Sequence, residues 1–381
     1  MNLQTKPPIH LTYCLNIHPG QTWAENFAAI REKALQVRNL VCPGGRFGLG
    51  LRLSNEAATT LVAPAALAEF KEFLAANNMY VFTINGFPYG QFHGAAVKQN
   101  VYAPDWRQAE RRDYTCRLAT ILAALLPEGV SGSISTVPIS YRPWIKTDKD
   151  VSLMGKMLAD TVKHLERLEE STGRLVRLAL EPEPDCFIET TTQAVAFFEC
   201  LLTSETIRRY VGICLDTAHA AVEFEDPAEA LDMLKNAGVC VAKIQISSAL
   251  AASPVPASLA RLAEFCDPVY LHQVKARTAD GRIISYADLP QAMEQAAKAT
   301  ADEQWRIHFH VPLFWDGDAE LQSTSNLLKG RFAEMLRSGA SGHLEIETYT
   351  FSVLPEYLRT IDVTESIARE YKWVFDNLLT V

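Results

Sequence analysis

The chain has 381 residues, with 36 Lys+Arg against 45 Asp+Glu and a formal charge of −9. That balance argues against a protein that coats nucleic acid, which shows a basic stripe, and against a polybasic membrane anchor. Hydrophobic residues make up 48 % of the chain, enough to fill a core and too many for a disordered polymer.

In chain order, short apolar or β-branched runs alternate with amphipathic stretches. Strands are expected from about Leu11 (LTYCLNIH), Phe47 (FGLGLRLS), Tyr80 (YVFTINGF), Ser131 (SGSISTVPIS), Val176 (VRLALEPEP), Val211 (VGICLDTAH), Val239 (VCVAKIQIS) and His343 (HLEIETYT). Helical patterns cover Trp23–Leu40, Ala65–Asn77, Gln108–Leu125, Leu153–Ser171, Thr191–Leu202 and Pro227–Asn236. This alternation predicts βαβ units and a parallel sheet. Eight such units of roughly 30 residues make a (β/α)8 TIM barrel, α/β in class.

The interval before the eighth strand is too long for one unit, so an insertion is expected at about 250–340, between strands 7 and 8, within one domain spanning 1–381. Inside it, Val269–Arg277 and Arg282–Tyr286 flank Ala279-Asp280-Gly281, a hairpin signal. Trp305–Phe314 is a further extended run, Leu321–Ser338 reads as a helix and Leu250–Ala257 as a flexible loop. No apolar run reaches the roughly 20 residues of a bilayer span, and Met1–Ile9 has no signal-peptide core. The eight cysteines include no CxxC pair and are expected to be reduced thiols, consistent with a cytoplasmic setting.

Active sites of such barrels lie at the C-terminal ends of the strands. There the fifth strand ends in Glu181, the sixth in Asp216, and the seventh in Lys243-Ile244-Gln245. The last carries Glu345 and Glu347, two apart and therefore on one face. Three acids at one mouth repel each other unless a cation or protons compensate. Oxygen ligands suit Mg or Mn, and an added imidazole suits Zn or Co. Each residue also has a structural reading: Glu181 in an ion pair, Asp216 as an N-cap, His219 as a core histidine, Glu345 on the surface. His308 and His310 alternate with Ile307, Phe309 and Val311 and share a face, either as ligands or as hydrogen-bonding groups inside the insertion. His18, Asn85, His93, Arg142 and Lys243 are polar residues near strand ends and are candidates for substrate contact.

Leu180-Glu181-Pro182-Glu183-Pro184, Cys214-Leu215-Asp216-Thr217-Ala218-His219-Ala220 and Leu344-Glu345-Ile346-Glu347-Thr348-Tyr349 resemble the xylose-isomerase-like barrels. That superfamily includes sugar-phosphate isomerases and epimerases, ketose 3-epimerases and repair enzymes of the endonuclease IV type. Thr12–Gly20, Tyr270–Gln273 and His308–Pro312 resemble a narrower group, the EboE-type metabolite traffic proteins. The resemblance implies that Glu181, Asp216 and Glu347 bind a divalent metal (Mn, Mg, Zn or Co) and that His219 contacts substrate. It further implies that Glu181 and Glu347 pass a proton through an enediolate. The epimerases carry a fourth ligand, a histidine, at the end of the seventh strand. Here Gln245 stands in that place, and His310 is the other candidate.

The implied function is a metal-dependent isomerase or epimerase of a sugar, sugar phosphate or related polyol, with a small-molecule partner and no nucleic acid. Pairing into a homodimer is left open. The alternative is a non-catalytic metabolite-binding barrel. Endonuclease IV-like cleavage of phosphodiesters is disfavoured by the acidic charge.

Overall fold

The structure is a computed structural model that describes all residues except 4, 6, 95, 201–203 and 381. The end of the helix expected to reach Leu202 therefore lies outside the described residues; the helix runs over Thr191–Cys200. Seven strands come first: β1 (His10–Tyr13), β2 (Phe47–Arg52), β3 (Met79–Asn85), β4 (Gly132–Thr136), β5 (Val176–Leu180), β6 (Val211–Asp216) and β7 (Val241–Ile246). Then come β8 (Ala249–Ala252), β9 (Val274–Arg277), β10 (Ile283–Tyr286), β11 (Gln304–His310), β12 (Gln322–Ser323) and β13 (His343–Ile346).

Eight parallel strands, alternating with helices, form a nearly closed barrel in the order β1-β13-β7-β6-β5-β4-β3-β2. Strands such as β2, β3 and β6 are largely apolar runs buried on both faces, as parallel sheets covered by helices require. The seam between β1 and β2 is bridged at Cys14 and Gly50 and by the Thr12 hydroxyl, which donates to Gly48 O at 2.9 Å. Gly50 is needed there, because a Cβ would collide with the Glu345 carboxylate. Local signals set the helix limits. The helix Asp148–Thr172 starts in a capping box between Thr147 and Asp150 and stops at left-handed Gly173. The stretch expected as one helix from Trp23 is two α segments joined by a π-turn at Ile30–Ala34.

Between β7 and β13 the chain builds a second sheet, ordered β10-β9-β11-β8-β12. Its pairings are antiparallel. It has its own apolar cluster, including Phe265, Leu289, Trp305, Ile307 and Phe309. Asp280-Gly281 turns the β9–β10 hairpin, with Gly281 at φ +84°.

Three expectations in this stretch are corrected. Leu250–Ala257 is not a loop: pairing with β11 and β12 draws Ala249–Ala252 into a strand, and a helix starts at Pro256. Leu321–Ser338 is not one helix, because Gly330 (φ +66°) separates a 3-10 turn at Thr324–Leu328 from a helix over Arg331–Arg337. The strand read from Val269 begins only at Val274, since the Val269 and Tyr270 amides turn onto Asp267 Oδ1 at 2.7 and 3.1 Å.

Candidate active site and metal centre

Glu181 follows β5, Asp216 ends β6 and Glu347 follows β13, and all three are buried at the C-terminal end of the barrel. Asp216 is indeed an N-cap, and that does not use it up. Its Oδ1 accepts from the amides of Ala218 (2.7 Å) and His219 (3.0 Å) and from the Ser247 hydroxyl (2.7 Å). Its Oδ2 has no partner and lies 3.9 Å from His219 Nε2. Glu347 is held through Oε1 by Asn16 Nδ2 (2.7 Å) and Asn85 Nδ2 (2.9 Å). Glu181 Oε2 is buried without a partner.

Three imidazoles face these acids, and each is oriented through Nδ1. His219 Nδ1 bonds to Pro182 O (2.9 Å), His310 Nδ1 to Glu347 O (2.9 Å) and His308 Nδ1 to Gln273 Oε1 (2.8 Å). Gln273 spends its amide nitrogen on the Tyr102 hydroxyl (2.8 Å) and Pro184 O (3.1 Å), which fixes its oxygen towards His308. Oxygens that only accept require a proton on each Nδ1, which leaves Nε2 as the ring atom turned towards the cluster. His308 Nε2 and His310 Nε2 are buried without a partner. Three triads have ligand atoms within 4.8 Å of one another: Glu181/Asp216/His219, Asp216/His310/Glu347 and His219/His308/His310. Asp216 joins the first two.

Burial dominates the electrostatics. It pushes the Glu181 carboxyl up to about 8, with Asp216 and Glu183 adding to the rise against His219 and Lys243. Burial likewise raises Glu347 well above the carboxylate range, reinforced by Glu181, Asp216 and Glu345. Burial also opposes the Asp216 carboxylate, but His219, His310 and the Ser247 hydrogen bond outweigh it and hold that group low. Burial depresses His310 to about 4 and His308 well below the imidazole range, so both are neutral bases at pH 7.

A narrow cavity of about 60 Å³ opens onto Glu181, Glu347, His219 and His308. Sequence reasoning missed Glu183, which also lines it. Its carboxyl, raised by burial to about 8, accepts from Tyr102 Oη at 2.9 Å. Asn16, Tyr102 and Gln273 were missed as well. Asn16 and Gln273 stand inside the Thr12–Gly20 and Tyr270–Gln273 stretches, which was the available signal.

Among the substrate candidates, Asn85 joins the cluster through Glu347. His93 supports it from behind, bonding to Asn16 O (2.6 Å) and the Tyr270 hydroxyl (2.9 Å). Lys243 lies deeper in the barrel, paired with Glu345 at 2.6 Å. Glu345 is thus a core residue rather than a surface one. Gln245 sits in register with Asp216 and Glu345, its amide atoms unpartnered. His18 is not brought to the acids; it bonds to the Tyr13 hydroxyl (2.9 Å) and lines a separate groove with Glu25 and Lys33. Arg142 is also elsewhere, half exposed and paired with Glu189 at 2.7 Å. A larger cavity of about 840 Å³ lies at the opposite end of the barrel, against Arg177, Arg331 and His343, away from these acids.

The donor set fits a divalent ion. Buried carboxylate and imidazole atoms without partners converge at one mouth, and uncompensated burial of such groups is costly. Glu181, Asp216, His219, His308, His310 and Glu347 are the residues able to hold it.

No family model and no curated protein matches the chain. The fold does match solved structures. The IolI protein with a bound zinc atom superposes with a TM-score of 0.51 at 13 % identity, over 97 % of each chain. The likeness is one of fold. The probable 3-DHS dehydratase AsbF from Bacillus anthracis gives a TM-score of 0.49 at 12 % identity, over 97 % of this chain and 99 % of that one. A xylose isomerase domain protein from Planctomyces limnophilus gives 0.47 at 15 %, over 86 % and 85 %. Among the described residues no helix is long and apolar enough to cross a membrane, and the eight cysteines are unpaired.

Proposed function

We propose that this chain is a metal-dependent isomerase or epimerase of a small hydroxy-carbonyl compound, a sugar or sugar derivative, working as one barrel unit in the cytoplasm. The observation that carries this reading is the set of buried, unpartnered carboxylate and imidazole atoms opening onto a cavity at the barrel mouth. The zinc named for the IolI structure agrees with it. A divalent ion on Glu181, Asp216 and Glu347, with Gln245 beside them, would supply Lewis-acid stabilisation of a developing enediolate.

The side chains do the rest. Glu181 and Glu347 enter from β5 and β13, separated in the barrel by β6 and β7. One takes the proton from the carbon next to the carbonyl and the other returns a proton, on the same carbon for epimerisation or its neighbour for isomerisation. Asn16 and Asn85 hold Glu347 in place for this. Glu183 lines the same cavity and hydrogen-bonds substrate hydroxyls.

Deuterium exchange tests the reading. With Mn, Mg, Zn or Co added, a panel of ketoses and their phosphates in D2O should gain deuterium at the carbon next to the carbonyl. Glu347→Gln should abolish the exchange. A panel that binds but exchanges nothing would favour the second reading, a metabolite-holding barrel of the EboE traffic type.

A further inference from the structure

The three imidazoles are more than an accessory to the acids. We infer that His219, His308 and His310 form a second, all-nitrogen metal site beside the carboxylate site, selective for late first-row ions such as Zn or Co. The inference deepens the reading above, because both sites open on the same barrel mouth.

The geometry is that of a three-histidine centre. Ring centroids lie 4.5 Å (His219–His308), 5.8 Å (His219–His310) and 5.5 Å (His308–His310) apart. Three imidazoles bound tetrahedrally through nitrogen at about 2.0–2.1 Å place their centroids about 5 Å apart. Their nitrogens already lie within 4.8 Å of one another. Each Nδ1 is held by an oxygen, which fixes the ring and leaves Nε2 to bind. Two of the three Nε2 atoms are fully buried with nothing to bond.

Two separate parts of the chain build the site. His219 comes from the helix after β6, and His308 and His310 come from β11 of the second sheet. The pairing of β11 with β8 shifts register between Ile307 and His310, so the ladder is irregular where the strand carries the two histidines. A fourth position would remain open towards the cavity that His219 and His308 line, as in zinc sites that bind water or substrate. Neutral nitrogen donors favour Zn and Co over Mg, which keeps to oxygen.

Metal counting tests this on the full-length protein after chelation. Co2+ titration, read by visible absorption and by elemental analysis after desalting, should give two ions per chain. His308→Ala, or His308→Gln if the alanine variant misfolds by circular dichroism, should bind one and lose at least tenfold in affinity for the other. Glu347→Gln should also bind one, with the His308-dependent absorption band intact. If the wild type binds a single ion that His308→Ala leaves unchanged and Glu347→Gln removes, the second site is refuted and the carboxylate site stands. A single ion removed by both substitutions also refutes it, as one shared centre. A single ion lost only with His308→Ala keeps the imidazole site and overturns the carboxylate reading. No bound ion overturns both.

Discussion

Two layers of the barrel interior carry buried carboxylates and treat them differently. In the lower layer, Glu345 Oε2 lies 2.6 Å from Lys243 Nζ, both side chains are fully buried, and the charge is closed on itself. Burial disfavours a charged Lys243, but Glu345 more than restores it and raises its pKa. Two residues further on, just past the end of β13, Glu347 lies near Glu181 and Asp216, no ion pair with Lys or Arg closes the set among the described residues, and burial with those neighbours raises its pKa. The lower layer is finished by folding. The upper layer is left for protons or an ion to finish, and that difference separates a structural charge from a functional one.

Breaking the lower pair is the largest test of the contrast. Lys243→Met should destabilise the protein by about 3–5 kcal/mol, because it leaves Glu345 buried and alone. Adding Glu345→Leu to it should recover most of that loss in denaturant unfolding. The equivalent change above should behave in the opposite way. Glu347→Gln should leave the metal-free protein as stable as before or more so. It should also remove the part of the metal stabilisation that comes from the carboxylate site, about 2.7 kcal/mol at a hundredfold excess over that site's Kd. A large loss of stability without metal would erase the contrast.

The pH dependence sharpens the same point. Glu181 and Glu183 rise from 4.5 to about 8 in the folded state, so the folded protein holds more protons than the unfolded one between those values. Their contribution is fully present below about pH 4.5 and is lost as pH rises through 8. The Tm of the metal-free protein should therefore show a falling contribution from pH 5 to 8, and metal binding near pH 7 should release protons measurable by calorimetry in buffers of different ionisation enthalpy. The smallest effect is expected at Arg142, whose ion pair with Glu189 is half exposed. Arg142→Ala should change stability by no more than about 0.5 kcal/mol and leave metal affinity unaltered.

The barrel was legible because short apolar or β-branched runs alternate with helical patterns along the chain, and the mouth acids because strand ends are where barrels keep them. The imidazole network was not. His308 and His310 share a face in the sequence, but only long-range pairing of β11 with β8 and β9 brings them onto His219. Gln273 looks like an ordinary polar residue until its amide is seen bridging Tyr102 and His308. Leu250–Ala252 was misread for the same reason: its strand is imposed by partners that come more than 50 residues later. Asp216 was read as either cap or ligand, and its two oxygens divide the tasks.

That division makes Asp216 a reporter as well as a site residue. Oδ1 is bonded to the first backbone amides of the helix Thr217–Val222, while Oδ2, on the same carbon, faces the open cluster. Charge drawn towards one oxygen is withdrawn from the other. Occupancy of the mouth is thereby written into the resonances of the Ala218 and His219 amides, which NMR can read without substrate, chromophore or label on any side chain.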